Sequence, residues 1–225
     1  MNRRQPPHVS SSALTTLSET GAPSEYYRCA NVVSEDLVTQ FSTTFNVPQA
    51  PDVTAKPTAQ ILRLGPALQN THGNYTGILQ PALEWHNGWF LTTIALSPDD
   101  KGIVHGAMRD VATGTQLTAT IKLTGKYGPD EGYTYTVVFE DYPDDINCVQ
   151  TWYNPANSLL EVIETYYVND ENQLPPVEAL ELRDIKVITD KGSPDSLNWE
   201  PKQAQTHIVD TSATNGRITM LYRDS

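Results

Sequence analysis

The chain has 225 residues, with 15 basic and 27 acidic side chains and a net charge of -12. A surface this acidic repels phosphate backbones and anionic headgroups, so nucleic acid and membrane surfaces are excluded as expected partners. The length suits one domain with a core of its own, and no apolar run reaches the eighteen or so residues of a membrane span.

Residues 1–24 are rich in Ser, Thr and Pro and carry no periodic apolar pattern; they read as a mobile tail ahead of a domain over 25–225. Met1 to Pro7 lacks the apolar core of a signal peptide, whereas Asn74-Tyr75-Thr76 is a glycosylation sequon, so both a cytoplasmic and a secretory location stay open. Cys29 and Cys148 are as consistent with one disulfide as with two free thiols.

From Leu37 to Val47 the apolar and threonine positions alternate, placing Leu37, Thr39, Phe41, Thr43, Phe45 and Val47 on one face. Prolines 48, 51 and 57 then enforce a loop, and Gln60–Gly65 reads as a short strand. Gly77–Trp85 and Trp89–Ile94 form two alternating runs around Asn87-Gly88, the signature of a β-hairpin. Ile103–Arg109, Gln116–Leu123, Tyr133–Glu140, Val149–Tyr153, Ser158–Val168, Ala179–Thr189 and Arg217–Tyr222 complete ten or eleven short strands separated by turn residues. No segment has a helical stripe. The expected fold is all-β, an antiparallel two-sheet sandwich or jelly roll.

The hairpin carries the feature that points to a site. Gln80 is a polar side chain in an otherwise apolar strand. Period-two alternation puts Ile78, Gln80, Ala82 and Glu84 on one face, and Leu79, Leu83 and Trp85 in the core. Glu161 and Glu164 are acids in another apolar strand, and with Gln80 they are the candidate catalytic groups. Trp89 and Trp152 serve as cleft walls or as core. Tyr133, Tyr135 and Tyr166 offer hydroxyls and flat surfaces for a sugar ring or a planar polycycle. Arg109 is a candidate substrate contact, or else a surface partner of Asp110 or Glu140. The histidines at 8, 72, 86, 105 and 207 have no ligand spacing, and Asp99-Asp100 and Asp144-Asp145 read as solvated turns, so no metal and no cofactor is expected. There is no nucleophile elbow or phosphate loop.

The Ile78-Leu79-Gln80 strand and the stretch Leu160-Glu161-Val162-Ile163-Glu164-Thr165-Tyr166 together resemble the glutamic peptidases (eqolisins) over residues 35–225. That resemblance implies a concanavalin A-like sandwich, with a catalytic Gln on this strand and a catalytic Glu inside a motif A-E-W-I-V-E. Two residues separate Glu161 from Glu164 where the motif has three between its acids, which sets the two carboxyls on opposite faces of a strand. The family's Trp on the strand before the Gln is replaced by Leu62 or Arg63. The chain is also similar to fungal sandwich proteins with an "ILQP-L-W" strand, and in plan to fungal hetero-Diels–Alderases of tropolone-sesquiterpenoid pathways, an analogy at the level of fold. Three functions follow as expectations. The first is a cofactor-free pericyclase of fungal secondary metabolism acting on an apolar polycyclic molecule. The second is a glycan-binding lectin or glucanase relative, and the third an acid peptidase with a Gln/Glu dyad.

Overall fold

A computed structural model describes residues 28–52, 60–70, 77–96, 103–128, 130–168 and 171–223. The expected tail, the sequon at Asn74 and the Asp99-Asp100 turn lie outside these. The strands in chain order are β1 (Arg28–Val33), β2 (Val38–Asn46), β3 (Ile61–Asn70), β4 (Gly77–Trp85), β5 (Trp89–Leu96), β6 (Ile103–His105), β7 (Arg109–Asp110) and β8 (Gln116–Gly128). They continue as β9 (Gly132–Phe139), β10 (Cys148–Trp152), β11 (Ser158–Tyr166), β12 (Ala179–Thr189), β13 (Glu200–Pro201), β14 (Thr206–Asp210) and β15 (Gly216–Leu221). One sheet runs β13-β1-β11-β3-β4-β5-β6, with β7 also on β5; the other runs β10-β9-β8-β2-β12-β15-β14. All pairings are antiparallel. The expected two-sheet sandwich is the fold.

Alternation decides what enters the space between the sheets. Leu62, Leu64 and Leu68 of β3, Leu79, Leu83 and Trp85 of β4, and Leu159 and Ile163 of β11 meet Phe41 and Phe45 of β2, Leu117 and Ile121 of β8, and Tyr135, Val137 and Phe139 of β9. Each such side chain contributes about 1.5–3 kcal/mol when fully buried. In β2 the pattern slips at its start: Val38 is buried in place of Leu37, where the register to β12 shifts between Ile188 and Thr189.

β3 runs to Asn70, well past the expected end at Gly65, although Gly65-Pro66 sits in its middle. Paired residues of β3 and β4 go from Leu64–Leu83 straight to Leu68–Leu79 in constant register. In that register Pro66 faces Pro81. Neither has an N–H to give, so the ladder lapses there without ending the strands. Gly65 has φ +130°, and a Cβ on it would lie 2.9 Å from the Pro81 carbonyl oxygen.

The single strand expected over 103–109 is instead β6 and β7. Between them Gly106 donates to the Thr93 carbonyl (2.9 Å). Any side chain there would strike the Ile146 carbonyl oxygen, 1.9 Å from an added Cβ. Arg109 therefore stands on a two-residue strand paired to β5, apart from the strand over 103–105.

Candidate functional site

The register sorts the candidate residues onto two faces of the first sheet. Residues directly opposite in an antiparallel pair project to the same side. Asn31 pairs with Leu160, Leu160 with Ala67, Gln80 with Ile94 and Ile94 with His105. The constant register of β3 and β4 places Ala67 opposite Gln80. These six residues form one row across the outer face, the side turned away from the second sheet. Ala67 and Leu160 of this row join Cys29 and Val162 in an apolar cluster separate from the main core, with Ile78 packed against it. Gln80 sits in this apolar setting at 2% exposure, and its Nε2 has no hydrogen-bond partner. An unpaired buried amide costs about 1–3 kcal/mol. Asn31 repeats the feature in the same row, since its Oδ1 is buried and unpartnered.

A second group occupies the same face further along the strands. Arg63 Nε donates to Glu84 Oε1 (2.7 Å) and Nη1 to Glu164 Oε2 (3.2 Å). Paired with Arg63 across β3, Glu84 and Glu164 flank it from β4 and β11. His86 Nε2 lies 3.0 Å from Glu84 Oε2, and the Tyr166 hydroxyl donates to Glu164 Oε2 (3.3 Å). The guanidinium carbon stands 5.8 Å from the centre of the Tyr166 ring. Burial alone would raise the Glu84 carboxyl; the His86 hydrogen bond and the charge and hydrogen bond of Arg63 outweigh it and hold the group at about 2. Burial opposes the charge on Arg63, yet Glu84 and then Glu164 raise its pKa above the ordinary value. Burial, with Glu164 next, pushes the Tyr166 phenol up to about 12. His105 is exposed at the rim, yet its ring is sheltered enough for desolvation to lower its pKa, with Glu84 opposing and Arg63 adding to that shift.

Glu161 belongs to neither group. It pairs with Ala30 and Pro66, residues of the inward row, and is fully buried. The Thr43 hydroxyl of β2 donates to its Oε1, tying one sheet to the other through the core, while its Oε2 has no partner. Burial pushes its pKa up to about 8, with the Thr43 hydrogen bond pulling the other way, so the carboxyl is protonated at neutral pH.

Of the residues singled out in the sequence, Gln80, Glu164 and Tyr166 share the outer face. The others do not join them. Trp89 and Trp152 are 4% and 1% exposed in the core, Trp89 against Trp85 at 5.2 Å and Trp152 against Tyr135 at 5.8 Å between ring centres. Their place on inward positions of β5 and β10 removes the cleft walls expected of them. Tyr135 is likewise core, its hydroxyl accepting from the Ala156 N–H (3.2 Å), and Tyr133 packs against that core from the second sheet. Arg109 is exposed and ion-paired with Asp145, rather than with Asp110 or Glu140. Both cysteines are free thiols, Cys29 on the outer face and Cys148 in the core.

Sequence reasoning missed Arg63, His86, Leu160 and Asn31 as members of the face. Arg63 carried a signal: in the register set by the Leu64–Leu83 and Leu68–Leu79 pairs it faces Glu84. Asn31 carried none, because β1 is one of the strands without a clean alternation.

No protein-family model matches the chain, and no curated protein matches it. Solved structures do. Two structures of scytalido-glutamic peptidase, one with a peptide-based transition-state analog and one with a transition-state analog inhibitor, share the fold at 16% identity. Each alignment covers 86% of this chain and 97% of the peptidase chain, with TM-scores of 0.55 and 0.52. The chain thus has the β-sandwich fold of an eqolisin.

Proposed function

We propose that the outer face of the first sheet binds a small, largely apolar organic substrate, and that the protein converts it without a cofactor, as a pericyclase does. The single observation that carries this reading is the unpartnered Gln80 amide on an apolar floor. A polar group buried at a cost, with nothing to bond, is suited to a ligand oxygen. A hetero-Diels–Alder reaction asks for little more. Two σ bonds form as π bonds are consumed, and no proton leaves. The heterodiene oxygen gains negative charge as it becomes the ring ether oxygen, and an N–H aimed at it favours the transition state, while the apolar floor holds the partners together. The test is acceleration of a quinone methide plus alkene mixture by the protein, with the rate enhancement lost in Gln80→Leu. No acceleration for any such pair would sink the cyclase step.

An acid glutamic peptidase is the second reading, favoured by the shared fold. It requires an acid within one water's reach of Gln80. In Gln80's row, β11 presents Leu160. Counting back from Glu164 with the spacing of A-E-W-I-V-E, Leu160 also falls where that motif has its first Glu. Glu164 is four residues further along β11, an offset of about 13 Å at the usual strand rise, and is engaged with Arg63. Glu161 faces the core. This placement counts against a Gln/Glu dyad and puts the peptidase second. Cleavage of unfolded protein at roughly pH 2–4, abolished by Gln80→Glu, would reverse that order. The glycan reading calls for Trp89 and Trp152 as stacking platforms beside polar groups, and both tryptophans are core residues.

A further inference from the structure

The row through Gln80 contains a second unsatisfied group, and the pair sets the shape of a ligand. Asn31, Leu160, Ala67 and Gln80 follow one another on four adjacent strands, β1, β11, β3 and β4. Both ends carry a buried amide atom without a partner, a carbonyl oxygen on Asn31 and an NH2 on Gln80, which is 98% buried. The two side chains between them are apolar, at 7% and 4% exposure. Three strand spacings separate the ends, about 14 Å between backbones and roughly 10 Å once the side chains reach inward.

Resting on the small-molecule reading above, we propose that this row is a two-point ruler for a rigid polycyclic hydroxy-ketone. The ligand lies across the strands, its carbonyl accepting from Gln80 Nε2 and its hydroxyl donating to Asn31 Oδ1, with fused rings over Leu160 and Ala67. The geometry selects against three alternatives. A flexible chain would lose rotor entropy along the whole span. A sugar would bring hydroxyls onto Leu160 and Ala67, which have nothing to bond them. A charged ligand would meet no counter-ion between Asn31 and Gln80, and the Arg63 cation two rows away is already held between Glu84 and Glu164.

The ruler is tested with testosterone and androstenedione, rigid four-ring bodies that share a ketone at one end and differ in having a hydroxyl or a ketone at the other. Equilibrium binding is measured on the full chain. The protein is expected to prefer testosterone about tenfold, one well-formed hydrogen bond in a dry site. Asn31→Leu should erase the preference while leaving the androstenedione affinity within about twofold, and Gln80→Leu should weaken both steroids. Equal affinities in the parent protein, or a preference that survives Asn31→Leu, would overturn the ruler and leave the Gln80 reading in place. Loss in Asn31→Leu with no loss in Gln80→Leu would overturn the Gln80 reading instead. If neither steroid saturates, this ligand class is wrong, and the Gln80 site then stands or falls with the quinone methide assay. Urea unfolding of both variants confirms that any loss of binding is local.

Discussion

Two carboxyls on β11, three residues apart, live in opposite regions of the molecule. Glu164 stands on the outer face, ion-paired with a guanidinium it shares with Glu84. Glu161 is sealed between the sheets, neutral, with one hydroxyl for company. The strand period alone separates them, and the difference teaches that an acid in an apolar strand says nothing about chemistry until its face is known. One is part of a charged network, the other a tie across a hydrophobic core.

The network is the easier region to break. Arg63→Leu leaves Glu84 buried and Glu164 without its cation, and should cost about 4–5 kcal/mol at neutral pH in urea unfolding. Acidification should recover part of this, since protonated carboxyls need no cation.

The tie responds in the opposite sense. The Glu161 carboxyl titrates near 8 in the folded chain and near 4.5 when unfolded. Below 4.5 it is neutral in both states and costs nothing in charge. As pH rises toward 8 only the unfolded chain ionises, so stability falls by about 1.4 kcal/mol per pH unit. Glu161→Gln should remove that slope and be more stable than the parent by on the order of 3 kcal/mol at pH 7. A parallel pair of stability curves would show the carboxyl to be ionised in the core. Glu84 supplies the mirror image: its folded value of about 2 lies below the usual 4.5, so its contribution is present above 4.5 and is lost as pH falls through 2.

Smaller effects sharpen the contrast. Gln80→Leu should raise stability by about 1–2 kcal/mol, because it deletes an unpaired buried amide, while weakening ligand binding. A residue that merely completes the packing would lose stability when changed. Least of all, thiol reagents should leave the native protein unmodified and titrate two thiols on unfolding, since Cys29 and Cys148 are free and at most 4% exposed.

The fold was legible because alternation in β4, β8 and β9 is clean and each strand is bounded by turn residues. The gaps have physical causes. β1, β13 and β14 went unread, the latter two being short edge strands whose pairing is decided by neighbours rather than by their own pattern. β3 was cut short at Gly65-Pro66, a correct local signal overridden by the register on either side. At the site, the parity of Ile78, Gln80, Ala82 and Glu84 was readable. The row was not, because pairing such as Asn31 with Leu160 and Leu160 with Ala67 joins residues far apart in the chain and is a tertiary fact. Residue type leaves Trp89 and Trp152 open between cleft wall and core; their inward parity places them in the core.

The facing prolines at 66 and 81 have a mechanical meaning. A sheet resists transverse bending through its ladder, and at this one point between β3 and β4 there is none to strain. The floor beside Gln80 can change curvature while the leucine pairs above and below keep their grip. Compliance is thereby confined to a single seam of an otherwise stiff sandwich.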